Sequence, residues 1–293
     1  MWSKLEATFL KSLGSKSLQE LSKIAQHHQS SSSSRFIITI GGDQLTGKST
    51  LSKDLSHSRE LLSIVNGRIA RRSAGQTMRE LAAEKGVNIG ELMSELAQTE
   101  SGSSVGNIDT SGIIDINLDY KTCEVIAGKY DDDAAMLIME GRQPSVMASY
   151  VTERVENTTQ LPFRVYLKCS VREQALRYIS REVSELARQE VEKYLPTNEL
   201  YPTMASVLEK IEGQKFAGHD HVINGFRSNM KRDDDDKKRF DMLYGENCHY
   251  RNELFYDLIV DTTSIDAHDK VNQVATGWVD WLVDNNFGVK YMK

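Results

Sequence analysis

Residues 42–50, GDQLTGKST, contain the frame G-x-x-x-x-G-K-[ST], whose residue types and spacing suit phosphate binding. In such a loop, backbone N–H groups and the N-terminus of the following helix surround phosphate oxygens. Lys48 would reach the outer phosphates of a nucleotide, and the hydroxyl of Ser49 would bind Mg²⁺. We therefore predict that the phosphates of a nucleotide contact the whole stretch, which is called the 42–50 loop below: Gly42, Asp43, Gln44, Leu45, Thr46, Gly47, Lys48, Ser49 and Thr50.

The four residues between the two glycines are unusual, because many small-molecule kinases have proline or another glycine among them. Leu45 is the residue that matters most here. If the loop needs a positive φ at this position, a bulky side chain makes it strained, whereas glycine would not.

A second cluster lies in SAGQTMRELAAEKG, residues 73–86. A strand is predicted to end at Ser73, Gly75 would allow a tight turn, and Arg79 would fall in the first turns of the next helix. A fixed guanidinium matches a phosphate dianion through two parallel hydrogen bonds. These three residues are candidates for binding an acceptor phosphate, the alternative for Arg79 being a solvated position on a polar helix.

A third cluster, LIMEGRQPS at 137–145, follows a predicted buried strand. Glu140 at its carboxyl end could position water around Mg²⁺, and Arg142 could clamp the phosphoryl acceptor. The alternative for Glu140 is a helix-capping or salt-bridged carboxylate.

Two pairs of arginines complete the candidate catalytic set. Arg177 and Arg181 are four residues apart, and Arg232 and Arg239 are seven apart, so each pair shares one helix face. Arginines that close over a nucleotide neutralise the charge of a loose transition state. The aspartates at 233–236 lie between the second pair, and a run of mixed charge is usually a solvated helix face.

Composition limits the function classes. A net charge of -6 argues against non-specific binding of nucleic acid, and we predict no nucleic-acid partner. The three cysteines are far apart and form no C-x-x-C pair, which argues against a disulfide framework or a cysteine-based zinc site. No apolar run approaches the roughly 18 residues of a membrane span, and the first residues do not form a secretory signal. We predict a cytoplasmic protein with no membrane partner.

The elements that must position these residues form an α/β pattern. Mostly apolar runs at 36–40, 135–140, 163–169 and 257–263 are predicted strands, and RIARRS at 68–73 is a candidate for a further one. They are separated by helical stretches such as one from Lys48 that carries Leu51, Leu55, Leu62 and Val65. Near-continuous apolar strands indicate a parallel sheet covered on both faces. Insertions at about 75–132 and 178–250 would project from the carboxyl ends of the strands, where ligands bind.

Residues 1–34 are predicted as a separate extension. Trp2, Leu5, Phe9 and Leu13 recur at helical spacing, and the serines at 30–34 are typical of a flexible linker, so the catalytic domain would span 35–293. The helical part either packs on the chain's own core, mediates self-association or binds a specific partner.

The motifs together resemble a known family. GDQ-x-x-GKS is similar to the loop of dynamin-type GTPases, but no D-x-x-G follows a predicted strand within the next hundred residues. The ordered set FIITIGG…TGKST, SAGQTMRELAAEKG, MLIMEGR, VYLKCSVREQALRYISRE and KRDDDDKKRFDMLYG…YDLIVDTTS resembles nucleoside monophosphate kinases, most closely the cytidylate kinase family. It spans most of residues 35–275 and fits poorly at about 190–226.

The resemblance implies a three-layer P-loop NTPase fold with a five-stranded parallel sheet, a monophosphate-binding helical insertion and a lid. It implies transfer of the ATP γ-phosphoryl group to CMP or dCMP with Mg²⁺. By position, Ser73, Arg79 and Arg142 would hold the acceptor, and Arg177 and Arg181 would contact ATP phosphates or transferring oxygens. Arg232 and Arg239 would close from the lid, and Thr262 and Thr263 would lie near the adenine. Gln143 stands where bacterial members often have Asp. A kinase acting on another small molecule or a protein, and a nucleotide-binding interaction module, are the alternatives.

Overall fold

The computed structural model describes residues 1–30, 35–84, 86–88, 91, 110–129, 134–158, 160 and 162–285, without the side chains of residues 30, 110, 111 and 230–234. Five strands form one all-parallel sheet of order β2-β3-β1-β4-β5. Each overlaps one of the predicted apolar runs: β1 (Phe36–Gly42), β2 (Ile69–Ser73), β3 (Met136–Glu140), β4 (Pro162–Lys168) and β5 (Leu258–Asp261).

The helices of the described part of the chain precede, connect and follow these strands. They are α1 (Ser3–Leu13), α2 (Ser17–Ser30), α3 (Lys48–Ser56), α4 (Arg59–Val65), α5 (Ala74–Glu84), α6 (Thr110–Ala127), α7 (Pro144–Arg154), α8 (Val171–Glu182), α9 (Glu185–Glu192), α10 (Met204–Ile211), α11 (His219–Tyr244) and α12 (Ala267–Asp284), with a short 3₁₀ helix at Glu253–Phe255. Within this described part, no helix combines the length and the apolar character needed to cross a membrane.

The prediction of one helix from Lys48 to Val65 was wrong. The helix ends at Ser56, and a second one starts after Ser58, whose side-chain oxygen accepts a hydrogen bond from the backbone N–H of Leu61 at 3.3 Å. Serine is a favourable N-cap because its hydroxyl oxygen accepts a hydrogen bond from a backbone N–H of the first turn that has no partner within the helix. The apolar spacing continues across the break between the two helices, so the spacing gave no sign of that break.

The sheet is covered on both faces, so the protein has three layers as predicted. Along β1, Ile37 belongs to one buried cluster, whereas Ile38 and Ile40 belong to the other. Successive side chains of a strand point to opposite faces, so a strand that is apolar throughout must be buried on both. The first face packs on α6 and α7, and the second on α3, α4 and α12.

The N-terminal helices belong to the first of these clusters. Leu5, Phe9 and Leu21 are fully buried in it. The ring of Phe9 lies 5.4 Å from that of Tyr120 on α6 and 6.3 Å from that of Tyr244 on α11. The extension therefore packs on the chain's own core, and it connects α6 with the end of α11.

Replacing Phe9 by Ala should lower the free energy of unfolding by about 3–5 kcal/mol, because it leaves a cavity between three elements. The neighbouring Leu10 is 38% exposed, so Leu10→Ala is a matched control with an expected effect within about 0.5 kcal/mol. Urea denaturation of both variants measures the difference. Equal effects would contradict the integration of α1 into the core.

A smaller helical cluster stands beside the sheet. It consists of α8, α9, α10 and the first half of α11, with Leu176, Val191, Ile211 and Phe226 in its buried interior. Helix α11 has 26 residues, about 39 Å at 1.5 Å per residue, so its second half reaches the main core. This arrangement occupies most of the stretch from 178 to 250 that the sequence set apart.

Candidate active site

The 42–50 loop joins the central strand β1 to α3, at the carboxyl edge of the sheet. Gly42 has φ of 147° and Gly47 has φ of 93°. A Cβ at Gly42 would lie 2.7 Å from the carbonyl oxygen of Leu167, so this position requires glycine. Leu45 has φ of 62°, which costs a non-glycine residue about 1–2 kcal/mol. The loop therefore holds the strained residue that the sequence suggested.

Contacts from elsewhere in the fold hold Leu45 in this conformation. Its side chain packs against the helical cluster, and its carbonyl oxygen accepts a hydrogen bond from Arg177 Nη1 at 3.2 Å. The next residue, Thr46, is buried, and its hydroxyl donates to the carbonyl oxygen of Asp43 at 2.9 Å. Strained backbone persists where its surroundings determine it from several sides.

The Asp43 carboxylate is engaged by residues that follow α11. Its Oδ1 accepts hydrogen bonds from the hydroxyl of Tyr250 at 3.0 Å and from Arg251 Nε at 2.7 Å. A carboxylate facing a phosphate would repel it, whereas this one is paired with a guanidinium. Any phosphate contact of Asp43 must therefore come from its backbone, not from its side chain.

Lys48 and Ser49 begin α3 next to the end of β3. Lys48 Nζ donates to the carbonyl oxygens of Gly42 at 2.8 Å and Asp43 at 2.5 Å. The Ser49 hydroxyl donates to Glu140 Oε1 at 2.8 Å. Ile40 and Glu140 are opposite each other in the β1–β3 register, which explains why residues so distant in sequence meet. The structure thus brings together the two residues predicted as metal ligands.

A cavity of about 660 Å³ opens beside these residues. It is bounded by the 42–50 loop, the ends of β2 and β3, helix α6 and the second half of α11. Six of the predicted site residues line it: Gln44, Lys48, Ser73, Glu140, Arg142 and Arg239.

The wall opposite the loop is acidic, which the sequence did not suggest. Asp236 on α11 is only 4% exposed and forms ion pairs with both Arg142 and Arg239. Arg239 Nε also donates to Asp115 Oδ2 on α6 at 2.6 Å. The interpretation of residues 233–236 as a solvated face is therefore wrong for Asp236, which shares a helix face with Phe240, four residues on. This spacing was the one available signal.

Asp119 is a second buried carboxyl group of this wall. Its Oδ2 accepts a hydrogen bond from the Tyr244 hydroxyl at 2.7 Å. Burial, and secondly the Asp115 carboxylate, raise the pKa of Asp119 well above its ordinary 3.8. Asp119 therefore keeps its proton at pH values where an exposed aspartate is ionised.

This shift predicts a pH-dependent stability. The unfolded chain releases the Asp119 proton near pH 3.8 and the folded chain retains it. The stabilising contribution is thus fully present below that pH and is lost as the pH rises through the folded-state pKa. In the wild type, the free energy of unfolding should fall by about 1.4 kcal/mol for each pKa unit by which folding raises the Asp119 pKa. In Asp119→Asn this fall should be absent.

Urea denaturation from about pH 4 to about pH 7 measures the effect. Asp280→Asn, on an exposed position of α12, is the control and should keep the wild-type slope. A wild-type slope in Asp119→Asn would contradict the raised pKa.

Comparison with known proteins adds little to this geometry. No family model and no curated protein matches the chain. Among solved structures, an uncharacterized protein from Eubacterium ventriosum is similar at 13% identity, over 84% of this chain and 99% of that chain, with a TM-score of 0.37. At that TM-score, nothing about fold or function is inferred from it.

On the other side of the loop, Arg177 is brought to the site and Arg181 is not. Arg177 donates to the hydroxyl of Thr262 at 3.3 Å and to its carbonyl oxygen, and the same hydroxyl donates to the carbonyl oxygen of Thr46 at 3.0 Å. Thr263 Oγ1 accepts from the backbone N–H of Ser170 at 2.8 Å. The side chain of Arg181 is 61% exposed and bonds to Glu182.

Of the acceptor residues predicted around the start of α5, Ser73 lines the cavity and Arg79 does not. The helix starts at Ala74, immediately after β2, so Gly75 lies in its first turn and the predicted tight turn is wrong. Ser73 Oγ accepts from the backbone N–H of Gln76 at 3.2 Å. Thr77 is buried against the cavity, whereas Arg79, about 200° further round the helix, is exposed.

Two further arginines are Arg72, which the sequence did not single out, and Arg232. Arg72, at the end of β2, lines the cavity and forms an ion pair with Glu80 at 3.1 Å. Sequence reasoning missed it, because nothing distinguished it from Arg71 beside it. The side chain of Arg232 lies outside the described residues.

Proposed function

We propose that this protein is a Mg²⁺- and ATP-dependent kinase that phosphorylates a nucleoside monophosphate, with CMP or dCMP as the preferred acceptor. The observation that carries the proposal is that one cavity is lined both by Lys48 of the 42–50 loop and by Arg142 and Arg239. A donor site and an acceptor site on the same cavity suit a direct transfer between two bound phosphates, which needs positioning more than a protein nucleophile.

The residues at the end of β3 fit a magnesium ion. The Ser49 hydroxyl and Glu140 Oε1, 2.8 Å apart, are the hard oxygen ligands that Mg²⁺ prefers. Within the described residues, no group of three or more His, Cys, Asp or Glu could hold a metal. This fits an ion that takes one or two protein oxygens and completes its shell with phosphates and water.

The chain's own groups have distinct roles in the proposed reaction. Bound Mg-ATP supplies the γ-phosphoryl group and the cation that offsets its charge. Lys48 would turn from the Gly42 and Asp43 carbonyl oxygens to the phosphates, while Arg177 holds the loop at Leu45. Arg142 and Arg239 would bind the acceptor phosphate through paired N–H donors. The Asp236 carboxylate that they share must then give way to the phosphate.

The direct test is incubation of the purified protein with Mg-ATP and a panel of ribo- and deoxyribonucleoside monophosphates, with diphosphate products separated by chromatography. We expect CDP or dCDP as the main product. Absence of diphosphate with every acceptor would refute the proposal.

A second candidate is a kinase with another small-molecule acceptor. The acidic wall favours it, since Asp115 and Asp236 could accept hydrogen bonds from hydroxyl or amino groups of such an acceptor. Thermal denaturation distinguishes the two, because micromolar CMP should raise the melting temperature only if it binds the folded protein. The interaction-module alternative loses one of the two observations that suggested it, since α1 buries Leu5 and Phe9 in the chain's own core, whereas the unusual 42–50 loop remains.

A further inference from the structure

Tyr250 lies between the two halves of the proposed site. It follows α11 in the segment before the 3₁₀ helix and is 1% exposed. Its hydroxyl donates to Asp43 Oδ1 of the 42–50 loop at 3.0 Å. The centre of its ring lies 5.8 Å from Arg142 Cζ. A single side chain therefore touches the donor loop with its polar end and the acceptor arginine with its ring.

The contact with Asp43 restrains the part of the loop that lies between its two glycines. Leu45 has a positive φ, so the backbone between Gly42 and Gly47 depends on outside contacts to keep its conformation. Arg251 Nε binds the same carboxylate oxygen as Tyr250, at 2.7 Å. A hydrogen bond to a charged group contributes more to stability than one between neutral groups.

The ring of Tyr250 also restrains the guanidinium of Arg142. A guanidinium within about 6 Å of an aromatic centre is attracted by the negative face of the ring. Phe240 packs edge-on against Tyr250, with ring centroids 6.2 Å apart, which limits rotation of that ring. Asp236 holds the same guanidinium by an ion pair.

We propose that Tyr250 is a positioning residue that holds the donor loop and the acceptor arginine at a fixed separation. The proposal rests on the kinase function proposed above, because it assigns the two contacts to two different substrates. The hydroxyl acts on ATP through Asp43, and the ring acts on the acceptor through Arg142. The two roles can be removed one at a time.

Tyr250→Phe removes only the hydroxyl, so we expect the KM for ATP to rise about tenfold, with the KM for the monophosphate within about twofold of wild type. Tyr250→Leu also removes the ring and should raise both values about tenfold. Tyr120→Phe is the matched control, because it removes a tyrosine hydroxyl that donates to the Ser17 carbonyl oxygen at 2.8 Å, outside the site. Equal rises of both KM values in Tyr250→Phe would overturn the assignment.

A double-mutant cycle shows whether the hydroxyl acts through Asp43. Asp43→Ala should raise the KM for ATP by itself, and adding Tyr250→Phe to it should change the KM no further. If the two substitutions instead raise the KM for ATP independently, so that their effects multiply, the hydroxyl of Tyr250 does not act through Asp43.

Hydrogen–deuterium exchange separates this inference from the kinase proposal, since it needs no turnover. In ligand-free Tyr250→Phe, amide exchange across residues 43–47 should be at least fivefold faster than in wild type, with residues 36–41 of β1 and all of β4 unchanged. Unchanged exchange in the loop would refute the positioning role even in an active kinase. If loop exchange is faster but the protein has no kinase activity, the positioning role of Tyr250 stands and only the proposed reaction is rejected.

Discussion

Replacing Lys48 by Met should lower kcat for diphosphate formation by roughly 10²–10³-fold, the largest effect expected in this protein. The charge at Lys48 Nζ lies 2.5–2.8 Å from the Gly42 and Asp43 carbonyl oxygens, at the mouth of the cavity. From there it can follow the charge that develops on the transferred phosphoryl group. Methionine keeps most of the length of the unbranched side chain and removes the ammonium group with its charge and N–H donors.

Lys53 provides the control for this substitution. It lies on the same helix, α3, and is exposed. Lys53→Met should keep kcat within about twofold of wild type, and steady-state kinetics with saturating ATP measures both variants. A loss below tenfold in Lys48→Met, or an equal loss in both, would contradict the role of the 42–50 loop.

Replacing Arg142 by Lys should lower kcat/KM for the monophosphate by about 10²-fold, with the KM for ATP nearly unchanged. Lysine keeps a positive charge next to Asp236, so the buried carboxylate retains a partner. It loses the flat fork that binds a phosphate through two parallel hydrogen bonds. It also loses much of the stacking on Tyr250, whose ring centre is 5.8 Å away.

Arg181→Lys is the matched comparison, because the sequence assigns both arginines to the reacting phosphates. The structure places Arg181 in solvent beside Glu182, so we expect kcat/KM within about twofold of wild type. The ratio of the two effects, measured with varied monophosphate at saturating ATP, tests the placement. A large loss in Arg181→Lys would show that this side chain moves to the cavity during turnover.

The fold was largely predictable because its signals are local. The central strands β1 and β3 are nearly continuous apolar runs, and a strand buried on both faces requires such a run. The edge strand β2, IARRS, is apolar only at its start and gave a weaker signal. The 42–50 loop was predictable for the same reason, since its residues are contiguous and follow a strand directly. Glu140 and Arg142 could also be located, because they follow β3 and the carboxyl ends of parallel strands meet at one edge.

The orientation of helical residues was not predictable in the same way. Arg79 and Arg177 both follow strands, yet one is exposed and the other reaches the carbonyl oxygen of Leu45. Which side of a helix faces the site depends on the residue at which the helix begins. Helix α5 begins at Ala74, immediately after the strand, and with this start Arg79 is exposed and is not among the residues that line the cavity.

The sequence by itself determined the strands, the loop shaped around Gly42 and Gly47, and the residues at the ends of β1 and β3, because each depends on neighbours along the chain. Only the tertiary structure decided the wall opposite the loop. Asp115, Asp236 and Tyr250 reach the site because α6 and α11 pack on the core beside the N-terminal helices. Burial of Phe9 and Tyr244 determines that packing, and the acidic side chains on the same helices are carried into the cavity with it.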